Sequence, residues 1–572
     1  MTSSSTTASS TGLSLADADA QLTAPGEMFE LDQVDVGGRP TKVWKNSPAT
    51  LADIIQLSQG HGDATFIVYE DETYTFAEHF RAVAHQASVL RDSFGIREGD
   101  RVAIVMRNFP EWSIAFWAAA CAGAVVVPLN AWWTAEELQY GLEDSGSKLL
   151  FVDRERETRL RDVWDQLPGV ETVIVARADS QGTDAGHLDF ADVLGEPAAD
   201  VDLPVVEIGP ESDATIFYTS GTTGRPKGAL GTHRNICTNP MSLVYVAMRG
   251  ALRVGAAGAE ASDQSAYLLS VPLFHATGCH SILVVNTLVG GKLVMMHHWD
   301  PGRALELIER ERITIFGGVP AMAMQVLDHP DFDRRDTSSV KSVGYGGAPA
   351  PAQLVQRIKE HFPGGGASNG YGMTETSSLS TMNQGDDYVR KPDSVGPPVP
   401  VVDVKVVDPL GQDLPDGAIG ELWIKGPNVV KGYWRNPDAT AETFSDGWVH
   451  TGDVARIDDE GFVYIVDRAK DMLIRGGENI YCVEIEDILY QHPAVADAAV
   501  IGIPDEVLGE EVGVVVQRRP DVPVSEGDLQ EHVRLHLAAF KVPVKVWFLD
   551  EPLPRNPAGK ILKRQLRDEL VG

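Results

Sequence analysis

Cysteine is scarce: four in 572 residues, at Cys121, Cys237, Cys279 and Cys482, with no C-x-x-C pair among them. That excludes a disulfide framework and a zinc knuckle, and it fits a reducing compartment such as the cytoplasm. Basic charge is also short. Lys and Arg number 48 against 82 Asp and Glu, a formal net of −34, and no basic run is present to offset it, so nucleic acid and anionic membrane surfaces are repelled. No apolar run is long enough to span a bilayer. The most membrane-like one, IAFWAAACAGAVVVPL from Ile114 to Leu129, reads as a buried helix leading into a core strand. The start, MTSSSTTASSTG, lacks the basic and apolar parts of a signal peptide, and residues 1–27 read as a flexible tail. Repeats of solenoid period are missing too. What remains is a globular chain, 43% apolar, of a length that predicts more than one domain.

Short buried-strand runs alternate with helical patterns over most of the chain: RVAIVM from Arg101, KLLFVD from Lys148, TVIVA from Thr172, YLLSVPL from Tyr267 and KLVMM from Lys292. Thr134 with Glu137 spells a capping box, and Asp300-Pro301 opens an amphipathic helix. This alternation predicts an α/β fold, a large N-terminal domain of layered, largely parallel sheets over 28–468. From 394 to 466, short strands parted by turns such as Pro415-Asp416-Gly417 predict a β-rich subdomain. After Asp467–Asp471 a compact strand and helix pattern predicts a small, mobile α+β domain over 469–572.

In YTSGTTGRPKG, Tyr218 to Gly228, a predicted strand gives way to glycines, hydroxyls and one lysine. Glycines let backbone N–H groups form an anion nest, hydroxyls donate further bonds, and Lys227 neutralises charge. The stretch is built for a polyphosphate. It does not follow the G-x-x-x-x-G-K-[ST] spelling, because Pro226 precedes Lys227 and Gly228 follows it, so the lysine cannot open a helix in that manner.

This stretch resembles the phosphate-binding signature of the adenylate-forming superfamily, which includes acyl-CoA synthetases, aryl-CoA ligases, firefly-type luciferases and peptide-synthetase adenylation domains. Further motifs similar to that family's follow in order: VPLFHATG from Val271, GYGGAP from Gly344, NGYGMTET from Asn369, GELWIKGPNVVKGYW, WVHTGD ending at Asp453, DRAKD and PRNPAGK ending at Lys560. The resemblance implies ATP, Mg²⁺ and CoA. It implies that Thr219, Ser220, Gly221, Thr222, Thr223, Gly224 and Lys227 hold the β- and γ-phosphates, that Glu375 binds Mg²⁺, and that Thr374 meets the α-phosphate. Gly347, Ala348 and Pro349 would wall the adenine opposite Tyr371, within Gly370, Tyr371, Gly372 and Met373, while Asp453, assisted by Arg468, takes the ribose. Lys560 would reach the reacting carboxylate during adenylation. Lys470 would be the hinge of a domain swing that afterwards presents Gly476 and Gly477 to CoA.

His275 with Cys279 and His280 lacks a fourth partner and makes a poor zinc set; the resemblance makes His275 a gate to the carboxylate pocket. No aspartate stands at Phe274-His275 to hold an amino group, so an amino acid substrate is not expected. Phe274, Cys279, Gly318, Val319 and Gly346 give neutral, small or apolar acyl walls, which predicts a medium- or long-chain fatty acid. An aryl acid, or an acyl-carrier protein as acceptor, is compatible with the same adenylation motifs; a luciferase-like oxygenase differs at HATG.

Overall fold

The computed structural model describes residues 12–571 except 180, 181, 185, 220–224, 256–263, 348, 349, 363, 477, 521, 557 and 558, and of residue 352 only the backbone. Among the described residues the buried runs assemble into five sheets. The seven-stranded sheet has the spatial order Gly228–Thr232, Asp213–Tyr218, Val125–Pro128, Arg101–Val105, Leu149–Asp153, Thr172–Ala176, Leu188–Asp189. It is parallel except at the Gly228–Thr232 edge, which returns antiparallel on Asp213–Tyr218. The eight-stranded sheet runs Thr381–Gln384, Gly366–Tyr371, Ser342–Gly346, Ile315–Gly318, Ala266–Leu269, Lys292–Met295, Thr65–Tyr69, Glu72–Thr75. Its interior is parallel and its two edge strands are antiparallel.

One core joins these sheets. Ile67, Leu269 and Leu293 of the eight-stranded sheet and Val102, Ile104 and Leu149 of the seven-stranded sheet share a cluster with Phe80, Trp112, Phe116 and Trp117. The last four come from helices Phe76–Asp92 and Pro110–Cys121, which lie between the sheets. Pro110–Cys121 is largely apolar because it packs on the seven-stranded sheet and against helices Phe76–Asp92 and Leu51–Ser58, and it hands over to the buried strand Val125–Pro128, as the 114–129 run predicts. The outer faces carry their own cores. Both sequence-predicted caps form: Thr134 accepts from the Glu137 N–H in a full capping box, and Asp300 accepts from the Arg303 N–H ahead of Pro301.

A five-stranded sheet follows, built from Asp403–Val407, Gly420–Lys425, Trp448–Ile457, Phe444–Ser445 and Val463–Arg468, and a second closes the C-terminal part. In the latter, Val495–Asp505 and Gly509–Arg518 form a long hairpin with Lys545–Leu549 parallel beside it. Helices Cys482–Tyr490 and Glu526–His536 pack on one face of it through Ile485, Leu489, Leu529 and Val533. One segment assigned to the tail differs from expectation. Leu15–Leu22 is a helix capped by Ser14; it buries Ala18 and Leu22, and Asp19 accepts from the Tyr245 hydroxyl of helix His233–Arg253. No helix among the described residues is long and apolar enough to cross a membrane.

Candidate active site

The ends of the parallel strands carry the chemistry. Ala266–Leu269, Ile315–Gly318, Ser342–Gly346 and Gly366–Tyr371 all finish on one edge of the eight-stranded sheet, directly before or within VPLFHATG, FGGV, GYGGAP and NGYGMTET. Open α/β sheets bind ligands at that edge. The strands that flank the glycine-rich stretch, Asp213–Tyr218 and Gly228–Thr232, belong to the seven-stranded sheet. Their hairpin is closed by the Thr219 N–H donating to the Lys227 carbonyl at 2.9 Å. A third segment stitches on: the Trp434 N–H donates to the Gly228 carbonyl at 2.7 Å, and the Leu230 N–H to the Gly432 carbonyl at 2.9 Å. That pairing sets the Lys227 ammonium 4.9 Å from the centre of the Tyr433 ring.

Tyr433 in turn donates its hydroxyl to Glu375 Oε1 at 2.6 Å, and the Val430 N–H donates to the Glu375 carbonyl at 3.0 Å. Glu375 is 6% exposed and lies in a single 3₁₀ turn, Thr374–Thr376. The chain leaves this turn through two left-handed residues, Ser377 at φ 51° and Ser378 at φ 95°. Non-glycine residues held there store strain of order 1–3 kcal/mol each, and such strain gathers at functional sites. The tight turn also explains Gly372, where a Cβ would lie 1.4 Å from the Ser378 carbonyl oxygen.

Asp453 and Arg468 are opposite one another on neighbouring antiparallel strands. The Arg468 Nε–H donates to Asp453 Oδ1 at 2.9 Å, and the Tyr371 hydroxyl, at the end of Gly366–Tyr371, donates to Oδ2 at 2.6 Å. Burial and the adjacent carboxylate hold the Tyr371 hydroxyl far above its ordinary range, so it remains a donor. Each carboxylate oxygen has a second lone pair for another donor.

Lys560 follows the C-terminal sheet and is tied to Asn556. Asn556 accepts from the Lys560 N–H at 2.9 Å through its side chain, and its own N–H returns to the Lys560 carbonyl at 2.8 Å. Arg555 ties the turn to Asp497 at 2.5 Å. The Lys560 ammonium is pushed down to about 8 by burial, with Arg468 and Lys470 lowering it further and Asp453 and Glu375 acting in opposition. His275 falls to about 4, mainly through burial and secondarily through the Lys560 charge, so its imidazole is neutral near pH 7. Its Nδ1 faces the Thr277 N–H at 3.4 Å, which puts the ring proton on Nε2. Lys560, Glu375, Asp453, Arg468 and His275, from five separate stretches, therefore occupy one neighbourhood.

Sequence comparison gives the family. A family described as "AMP-binding enzyme" matches residues 56–434, and its C-terminal domain matches 484–560. The chain belongs to the AMP-binding enzyme family. It is similar to a feruloyl-CoA synthase of an Amycolatopsis species, 40% identical over 506 residues that cover 88% of this chain and 95% of the relative. A long-chain-fatty-acid–CoA ligase of Mycobacterium tuberculosis is 36% identical over 506 residues, covering 87% and 93%. Among solved structures, an anthranilate CoA ligase in complex with anthranoyl-AMP superposes with a TM-score of 0.80 at 26% identity, over 91% of this chain and 97% of that one. The protein is thus an AMP-forming acid–thiol ligase, of a family that uses ATP and CoA.

Within this AMP-binding enzyme the remaining sequence-predicted residues fall as follows. Ser220, Gly221, Thr222, Thr223, Gly224, Ala348, Pro349 and Gly477 lie outside the described residues. Gly346 ends the strand Ser342–Gly346, Gly347 follows it, Gly370 is the next-to-last residue of Gly366–Tyr371, and Met373 accepts from Thr376 through its carbonyl. On the acyl side Phe274 and Val319 are each 8% exposed, while Cys279 is wholly buried and its thiol is pushed up by burial. Cys279 and His280 lie on a π-helix, Thr277–Val284, that starts two residues after His275; π turns are frequent at functional sites. Gly278 is needed there because a Cβ would lie 2.2 Å from the Pro272 carbonyl oxygen. Gly476 turns the hairpin Leu473–Arg475 to Glu478–Ile480 beside exposed Ile474 and Val507. Lys470 sits in the turn after Arg468, between the five-stranded sheet and the C-terminal one.

Among the described residues the close metal-ligating trio is Glu157, Asp184 and His187, not His275, Cys279 and His280. Arg154 and Arg161 already occupy those two carboxylates. Tyr433 is the site residue that sequence reasoning missed, although it lies inside the quoted motif GELWIKGPNVVKGYW.

Proposed function

We propose that this protein activates a medium- or long-chain fatty acid as acyl-AMP and passes the acyl group to the CoA thiol. One observation carries this reading: the enclosed Lys560 amine shares its surroundings with Glu375, Asp453 and Arg468. A carboxylate repels nucleophiles and offers oxide as its leaving group, so it must be converted first. Its oxygen attacks the α-phosphorus of ATP, the bond to the β-phosphate oxygen breaks, and pyrophosphate departs.

Negative charge grows on the α-phosphate oxygens as phosphorus becomes five-coordinate, and a fixed cation is worth most at that moment. Lys560 is that cation. Thr219, Lys227 and the intervening residues hold the departing phosphates, Thr374 meets the α-phosphate, Tyr371 stacks on adenine, and Asp453 with Arg468 orients the ribose. Neutral His275 gates the carboxylate without adding charge. Glu375, buried with one oxygen held by Tyr433, fits a hard divalent cation such as Mg²⁺. When bound, Mg²⁺ screens phosphate charge.

Lys470 is the hinge about which the segment after it turns, withdrawing Lys560 and bringing Gly476 and Gly477 to the acyl carbon. The CoA thiolate then attacks that carbon, AMP leaves and the thioester forms.

The neutral walls at Phe274, Gly318 and Val319 support an acid with an apolar body. An arylpropenoic acid is a second reading, favoured by the 40% identity to a feruloyl-CoA synthase. Pyrophosphate release across octanoate, palmitate, 4-coumarate and ferulate, with and without CoA, tests both. Palmitate or octanoate should lead; faster release with ferulate selects the aryl reading. No release with any acid refutes the assignment, and release without thioester formation moves the acceptor to an acyl-carrier protein.

A further inference from the structure

The helix Pro320–Leu327 touches the C-terminal part of the chain at both of its ends. At its head is Val319, the N-cap residue, which offers no side-chain cap and directs its branched side chain elsewhere. Gly559, the neighbour of Lys560, rests on it: a Cβ at Gly559 would lie 2.7 Å from Val319 Cγ2 and 2.9 Å from Cγ1. Gly559 has φ +78°, so both its conformation and its clearance call for glycine. At the foot is Asp328, the C-cap residue. Its Oδ2 pairs with Arg519 Nη1 at 3.2 Å, and its Oδ1 is held by Arg357 at 2.6 Å. Arg519 follows the strand Gly509–Arg518 and also donates through Nε to the Val495 carbonyl at 3.2 Å.

Eight residues of helix are about 12 Å long. A single contact would leave the C-terminal part free to pivot, whereas two contacts this far apart define a direction and so fix where the Lys560 amine points. The head of the helix is also acyl wall. Val319 follows Gly318, whose closest neighbours are Met322 of the helix itself, Val271 and Ser270. An acid that packs on this wall therefore packs on the surface that receives the lysine turn.

We propose that helix Pro320–Leu327 is the seat on which the C-terminal segment presents Lys560, Val319 acting as a positioning residue for the lysine and the Asp328–Arg519 pair as a latch. The inference rests on the reading of Lys560 as the adenylation cation and of Lys470 as a hinge. It goes further in assigning the adenylating orientation to two specific contacts, Val319 with Gly559 and Asp328 with Arg519. It also makes the fit of the acid and the placement of the lysine parts of one surface.

The two half-steps are measured separately on the full-length enzyme. Adenylation is followed as pyrophosphate release with palmitate or ferulate and ATP; transfer is followed as thioester formation from synthetic palmitoyl-AMP or feruloyl-AMP and CoA. Arg519→Ala should slow adenylation ~2–5-fold, as expected for a partly exposed ion pair, and leave transfer within about twofold. Asp328→Asn should do the same, and the double variant should be no slower than either single one. Gly559→Ala should slow adenylation about tenfold or more, and adding Val319→Ala should recover at least about threefold of it.

Equal loss of both half-steps in Arg519→Ala, or loss of neither, overturns the latch. Failure of Val319→Ala to improve Gly559→Ala overturns the positioning role. Should strain at residue 559 unfold that variant, the surface pair at 328 and 519 still decides. A wild-type enzyme that releases no pyrophosphate with any acid refutes the proposed function instead.

Discussion

Lys560 gives the sharpest test, because its charge should switch within the range in which the enzyme can be assayed. Burial, reinforced by Arg468 and Lys470, brings its amine down to about 8. The cation is the active form and is lost as pH rises. At pH 7 about 90% of the amine is charged, and at pH 9 only about 10%. The kcat/KM for ATP in pyrophosphate release, which reports the free enzyme, should therefore fall about tenfold between those values. The descending limb of kcat should lie at higher pH, since bound phosphate stabilises the ammonium. His275 adds no limb, being neutral above about 4. Lys560→Arg keeps its charge throughout, so it should be slower yet lose the limb. A wild-type profile flat to pH 10, or an Arg variant that retains the same limb near 8, would refute the reasoning.

Asp453→Ala should raise the KM for ATP about tenfold, at 1–2 kcal/mol, because the Arg468 and Tyr371 donors lose their shared acceptor; ATP titration of pyrophosphate release measures it. Tyr433→Phe removes the 2.6 Å bond to Glu375 and should slow adenylation about fivefold and cost about 1 kcal/mol of stability, since a buried carboxylate oxygen loses its donor, and an equal loss in transfer from supplied acyl-adenylate would contradict it. Gly372→Ala must displace the Ser378 carbonyl, 1.4 Å from the new Cβ. It should lose about 2–4 kcal/mol of stability, visible as a lower Tm in calorimetry.

Much of the frame was readable beforehand, for physical reasons. Leu149–Asp153 and Thr172–Ala176 are buried on both faces and so appear as unbroken apolar runs, and the run at 114–129 splits into helix and strand where Gly123 sits at φ 85°. Residues 15–22 escaped because only two of their side chains, Ala18 and Leu22, are buried, too few to show a period, yet they suffice once Tyr245 and its helix offer a surface. The nucleotide motifs were readable by resemblance. Tyr433 was not, since its partner Glu375 is set by strand pairing between Gly228–Thr232 and the segment at 430–434. The contact between Val319 and Gly559 spans two sheets, and no local pattern announces it. The π-helix at Thr277–Val284 is likewise invisible in composition.

The strand ends beneath the proposed acyl pocket also limit how its specificity could drift. A Cβ at Gly317 would meet the Gly344 carbonyl oxygen at 1.5 Å, and one at Gly346 the Gly370 oxygen at 2.4 Å. Backbone atoms in a paired ladder cannot yield, so neither position can acquire a side chain to shorten or reshape the pocket. The neighbours of Gly318 are different: Met322 Sδ and Val271 Cγ2 are side-chain tips. New substrates, whether reached by mutation in the wild or by design, would be won by exchanging those tips over a floor that stays bare.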